Sequence, residues 1–168
     1  LVGRDVDLIV ASNGAGTLDI SAGGSVQIAD QFIAGLNATS LSNVTVSGFA
    51  DSVPFAGSTL LVNGTTQSRF GQSGDATVNI VNGGQAVFAG DLAVALGSAS
   101  ASDVVVQGSG FVFDATLDVA GDLLLGRNTT AGSAAGIAML NVNADGRVLV
   151  GDTLFVAGDP DGGSALLQ

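Results

Sequence analysis

The sequence predicts an all-β fold, a parallel β-helix (β-solenoid) with three short strands per turn and about five to six turns, filling residues 1–168 as one unit. Three observations carry this reading. The composition favours strands and turns over helices, apolar-x-apolar pairs recur at near-regular spacing, and each pair is followed by a turn and further short apolar segments at matching offsets.

Hydrophobic residues make up 46% of the 168 positions, enough to bury a core and too many for a disordered chain. All fifteen acidic residues are Asp and all four basic residues are Arg, with no Glu, Lys, His, Cys, Trp or Tyr. The long straight-chain residues that usually solvate helices are therefore scarce. The 26 Gly together with Asp, Asn, Ser and Thr supply turns, and Val, Ile, Leu and Phe supply strands. A net charge of −11 with four scattered Arg repels phosphate backbones and anionic headgroups, so no nucleic-acid partner is expected. Asp and Gly break every apolar run well short of the roughly 18 residues of a membrane helix, so no membrane insertion of this segment is expected. Without Cys, stability must come from packing and hydrogen bonds, not from disulfides or thiolate metal sites.

The pairs are Leu18-Asp19-Ile20, Val44-Thr45-Val46, Val78-Asn79-Ile80, Val104-Val105-Val106, Leu140-Asn141-Val142 and a final Leu166-Leu167, spaced 26, 34, 26, 36 and 26 residues apart. Turn residues tolerant of positive φ follow, such as Ala22-Gly23-Gly24, Asn82-Gly83-Gly84 and Asp145-Gly146. A second strand is then expected at 26–28, 53–55, 86–88, 111–113 and 148–150. A third is expected at 8–10, 32–34, 60–62, 92–94, 123–125 and 154–156. Irregular loops are expected at 36–43, 63–76, 114–119 and 127–138.

Strands this short, turning at Gly-rich corners, build no sizeable core as hairpins. Wound as a coil they stack in parallel ladders about 4.8 Å apart and send alternate side chains inward, giving a rod roughly 25 to 30 Å long. The general preference for right-handed parallel crossovers predicts a right-handed coil.

The segment Leu18-Asp19-Ile20-Ser21-Ala22-Gly23-Gly24-Ser25-Val26 is echoed by Val78-Asn79-Ile80-Val81-Asn82-Gly83-Gly84-Gln85-Ala86-Val87 and then Ala89-Gly90-Asp91-Leu92. This pattern resembles the passenger-type β-strand repeats of bacterial autotransporters and related surface proteins, over essentially the whole chain. The resemblance implies a right-handed β-helix, export to the bacterial cell surface, and adhesive or stalk duties. The long insert after Asn63 and the irregular corner at Asp114 depart from it, and the sequence contains no membrane-anchoring barrel.

Candidate sites divide between functional and structural readings. Asp7, Asp30, Asp91, Asp122 and Asp152, with Ser58 in the remaining repeat, are expected to align just before the third strands. Stacked carboxylates repel by roughly 1 kcal/mol per pair in water-like dielectric, which Ca²⁺ would offset. Alternatively each Asp, like Ser58, caps its own corner by accepting a backbone N–H. Asp159-Pro160-Asp161-Gly162 resembles the start of a calcium loop but has no downstream Glu. Asp30, Asp91, Asp122, Asp152, Asp159 and Asp161 are thus the calcium candidates, and no cofactor is otherwise expected.

A polysaccharide-active enzyme would need paired carboxylates or a base with a charge stabiliser. Asp75, Asp103, Arg69 and Arg127 are the available groups, but no spacing pairs them, and a non-enzymatic role with no catalytic residues is expected. Asn37, Asn43, Asn63 and Asn128 each begin an Asn-x-Thr glycosylation triplet.

The expected role is a non-catalytic structural or adhesive segment, extracellular or on the cell surface, contacting host, matrix or glycan through its loops. The alternative is a self-assembling fibre or sheath subunit. Leu1 and Gln168 cut the repeat, so more coil is expected to continue there, or another subunit to stack axially.

Overall fold

In the computed structural model the described residues are 6–48, 57–109, 114–127, 136–157 and 163–168. The chain climbs three strands at a time. β1 (Leu8–Val10), β2 (Ala15–Ile20) and β3 (Ser25–Ile28) form the first coil. β4 (Phe32–Ala34), β5 (Leu41–Ser47) and β6 (Thr59–Val62) form the second, and β7 (Ser68–Phe70), β8 (Asp75–Val81) and β9 (Gln85–Phe88) the third. The fourth comprises β10 (Leu92–Val94), β11 (Ala101–Gln107) and β12 (Ala115–Val119), and the fifth β13 (Leu123–Leu125), β14 (Ile137–Asn143) and β15 (Gly146–Val150). β16 (Leu154–Val156) and β17 (Ser164–Leu167) belong to the sixth.

Every third strand pairs in parallel, giving sheets ordered β1-β4-β7-β10-β13-β16, β2-β5-β8-β11-β14-β17 and β3-β6-β9-β12-β15. The chain is a parallel β-helix with three strands per turn and about six turns.

Alternation within each strand builds the core as columns. In the β2 sheet Leu18, Val44, Val78, Val104 and Leu140 stack through the register, as do Ile20, Val46, Ile80 and Val106. The β1 sheet places bulk by exchange between coils. Phe32 stacks at the position of Ser68, and Ala34 at that of Phe70. The large residue thus moves from the first to the third place of the strand between consecutive coils. Phe32 and Phe70 meet edge-to-face with centroids 5.9 Å apart, and Phe70 meets Phe88 at 5.7 Å. All three rings are fully buried. The Ser68 hydroxyl accepts the Phe32 N–H at 3.1 Å, so the small partner also satisfies a buried donor.

Two corners have a repeated conformation. The residue after each β1-sheet strand is left-handed in all six coils: Ala11, Gly35, Gly71, Ala95, Gly126 and Ala157. Between the second and third sheets, Ala22-Gly23, Asn82-Gly83 and Ala144-Asp145 all have positive φ, as a type I′ turn requires, and the Gly84 N–H bonds the Val81 carbonyl at 2.9 Å. Gly84 follows that turn because a β-carbon there would collide with the Val46 carbonyl of the coil beneath.

Several strand assignments shift. Thr59–Val62 pairs with β3 and β9, so Leu60-Leu61-Val62 is a second strand, not a third. The third strand of that level is Ser68–Phe70, within the stretch read as the 63–76 loop. It is hidden because Arg69 and Ser68 leave one apolar residue in three. Ala115–Val119 is a regular second strand, not the insertion read at 114–119. The strands expected at 53–55 and 111–113 lie outside the described residues. Residues 41–43 and 137–138, read as loop, begin β5 and β14. In the last pair Leu167, not Leu166, stacks on Leu140, one residue later than the spacing predicted.

Phe70→Ala is expected to cost about 3–5 kcal/mol, because neighbouring coils held in ladders cannot collapse into the void. Gly84→Ala is expected to cost about 1–3 kcal/mol by overpacking. Chemical denaturation of each variant against the parent chain measures both.

Candidate functional site

The corner leading into the β1 sheet carries most of the acidic candidates. Extending that sheet's register back by one residue aligns Asp7, Gln31, Gln67, Asp91, Asp122 and Thr153. Asp30 and Asp152 fall one residue earlier, and Ser58 lies at a different corner, ahead of β6. The predicted column therefore shortens to one pair of successive carboxylates, Asp91 and Asp122. The spacing argument erred because the acidic residue sits two positions before the third strand in some coils and one in others.

These carboxylates bond upward, not within their own corners. Asp91 Oδ1 accepts the Asp122 N–H at 2.9 Å, Asp122 Oδ1 accepts the Thr153 N–H at 3.0 Å, and Asp7 Oδ1 accepts the Gln31 N–H at 3.3 Å. A ladder spacing near 4.8 Å puts the next coil's N–H within reach of a short side chain. Ser58 ties its own corner to the coil beneath: fully buried, it accepts the Gly23 N–H at 3.2 Å and donates to the Ser47 carbonyl of its own coil at 2.6 Å. Among the described residues no group of three or more Asp could hold a metal ion. Asp159 and Asp161 lie outside them.

The residues weighed for catalysis fall on more than one ladder. Asp75 opens β8 and accepts the Ala101 N–H at 2.7 Å. Asp103, on β11, accepts the Asn141 side-chain amide at 2.9 Å. Arg69 lies on a different sheet and donates to Gln72 Oε1 at 2.8 Å. The Arg127 guanidinium sits 4.1 Å from the centroid of the Phe155 ring. Each is engaged by a neighbour along the coil; Asp75 and Asp103 share the outward face of adjacent strands, Asp75 opposite Ala101 and Asp103 opposite Thr77, while Arg69 lies on another sheet and Arg127 follows β13.

Of the Asn-x-Thr triplets, Asn37, Asn43 and Asn63 are exposed, while Asn128 lies outside the described residues. Asn37 donates its side-chain amide to Asn13 Oδ1 at 3.1 Å, one coil below. Asn43 points outward from β5.

Two features escaped the sequence reading. Arg147 pairs with Asp114 at 2.9 Å across the β12–β15 ladder, an exposed contact of small energetic weight. The outward positions of β4, β10 and β13, Ile33, Ala93 and Leu124, are buried, so the β1 sheet is covered on both faces there. Unbroken apolar triplets such as Leu123-Leu124-Leu125 were the available signal, because a strand with one wet face alternates.

Comparison of the chain with protein-family models, curated proteins and solved structures finds no match. Among the described residues no helix is long and apolar enough to cross a membrane.

Asp91→Ala is expected to destabilise the coil by about 1 kcal/mol through loss of the Asp122 N–H acceptor, and Asp91→Asn to retain most of that stability. The melting response to millimolar Ca²⁺ is expected to be the same in the parent chain and in the Asp91→Asn/Asp122→Asn double variant. Calorimetry with Ca²⁺ and with chelator checks both.

Proposed function

We propose that this chain is a non-catalytic structural and adhesive rod segment of an exported bacterial surface protein, of the autotransporter-passenger type that its repeats resemble. The observation that carries the reading is how the polar side chains are used. Asp7, Asp75, Asp91 and Asp122 accept backbone N–H groups of the next coil, and Asp103 and Ser58 also bond between coils. Each of these groups is held by a bond to a neighbouring turn, so the side chains weighed for catalysis serve as ties between turns. What remains for contact is the outer surface: polar ladder positions such as Thr17, Asn43 and Thr77, and the corners around Asn37 and Asn63, all exposed. A host, matrix or glycan surface is the partner class in this reading. A net charge of −11 keeps such rods apart laterally while leaving their side-chain hydrogen bonding intact.

Protease shaving tests the reading. Intact bacteria expressing the parent protein are expected to lose the coil's epitope on brief external digestion, and an epitope protected until lysis overturns export. Electron microscopy of the purified chain separates the two structural roles. Discrete rods accord with a passenger segment, and filaments one coil wide transfer the assignment to an axially stacked fibre.

A further inference from the structure

The coil restrains the chain's three Asn-Gly pairs, Asn13-Gly14, Asn63-Gly64 and Asn82-Gly83, unequally. Ring closure at such a pair needs the glycine amide nitrogen to meet the side-chain carbonyl carbon of the asparagine. A turn that immobilises either group suppresses the reaction until it opens. Asn82 and Gly83 are the central residues of a type I′ turn, with φ of 52 and 86. The Gly84 N–H closes that turn on Val81 at 2.9 Å, the Asn82 N–H bonds the Gln107 carbonyl at 2.9 Å, and Gly83 is buried. At Asn13 the side-chain oxygen is held by Asn37 at 3.1 Å. Asn63 is exposed and lies outside the strands, between β6 and β7. Among the described residues its bond is from its own N–H to the Ile28 carbonyl at 2.9 Å, which leaves its carboxamide and the Gly64 nitrogen untied.

We propose that Asn63 is a spontaneous modification site of the folded protein. The deprotonated Gly64 amide nitrogen attacks Asn63 Cγ, the new C–N bond expels ammonia, and water opens the succinimide at either carbonyl to leave aspartate or isoaspartate. No oxidant or reductant is consumed, and each event adds one negative charge to a chain already at −11. The attack joins the Gly64 nitrogen to the solvent-facing Asn63 side chain. The isoaspartate product does disturb that packing, because it lengthens the main chain by one carbon beside Gly64. A β-carbon on Gly64 would already overlap the Asp30 backbone below, and Thr65 lies against Gly90 above. The corner between β6 and β7 therefore opens when isoaspartate forms.

Peptide mapping by mass spectrometry tests the site, on purified chain aged in mildly alkaline buffer and on a parallel sample unfolded in urea. In urea all three pairs are expected to convert at similar rates. In the folded chain the Asn63 peptide is expected to gain the amide-to-acid mass first and to split into aspartate and isoaspartate forms. The Asn82 peptide is expected to lag its unfolded rate by about tenfold or more. Conversion of Asn13 or Asn82 ahead of Asn63 in the folded chain overturns the proposal, as does an intact folded Asn63 whose unfolded counterpart converts. Asn63→Gln, whose longer side chain closes a less favoured ring, is expected to remove the signal at that peptide with the melting temperature unchanged.

Discussion

The in-register parallel ladder is the constraint on which the rest of this structure depends. Once each strand pairs with its equivalent one turn above, every position stacks on itself at a spacing near 4.8 Å, and each column must tolerate that repetition. Branched aliphatic residues do so readily, hence the columns through Val44, Val78 and Val104. In the β1 sheet the exchange between Phe32 over Ser68 and Ala34 over Phe70 sets large against small both along and across the coils, filling the core evenly.

The same repetition governs polar groups. Carboxylates in a continuous column would repel, and the column ahead of the β1 sheet holds Gln31, Gln67 and Thr153 among its Asp residues. Where Asp91 and Asp122 do follow one another, each accepts a backbone N–H from the coil above. Asp7, Asp75, Asp91, Asp103 and Asp122 each join one turn to the next.

The corners show how much backbone strain the ladder imposes. A left-handed residue follows the β1-sheet strand in every coil, yet only Gly35, Gly71 and Gly126 meet it with glycine. Ala11, Ala95 and Ala157 accept the same conformation at a cost of roughly 1–2 kcal/mol each. The neighbouring coils hold the corner in place, so the conformation is a property of the stack and not of the local residue. Ile33, Ala93 and Leu124 are buried on the outward face as well, so alternation alone does not set burial in this sheet.

Period-two alternation, glycine-rich turns and recurrence of the apolar pairs determined the all-β class, the three-strand turn and the parallel stacking, because each is a local or repeated property of the chain. The strands at Phe32–Ala34, Leu92–Val94 and Leu123–Leu125 were legible for that reason. Ser68–Phe70 and Ala115–Val119 were not, because a corner of variable length removes the spacing cue and Ser68 and Arg69 disguise the pattern. Of the site, the Asp and Ser residues were visible as candidates, but their alignment and their partners were not. Which N–H an Asp91 carboxylate reaches depends on the register between residues 31 positions apart, and only the stacking of one complete turn on the next decides it.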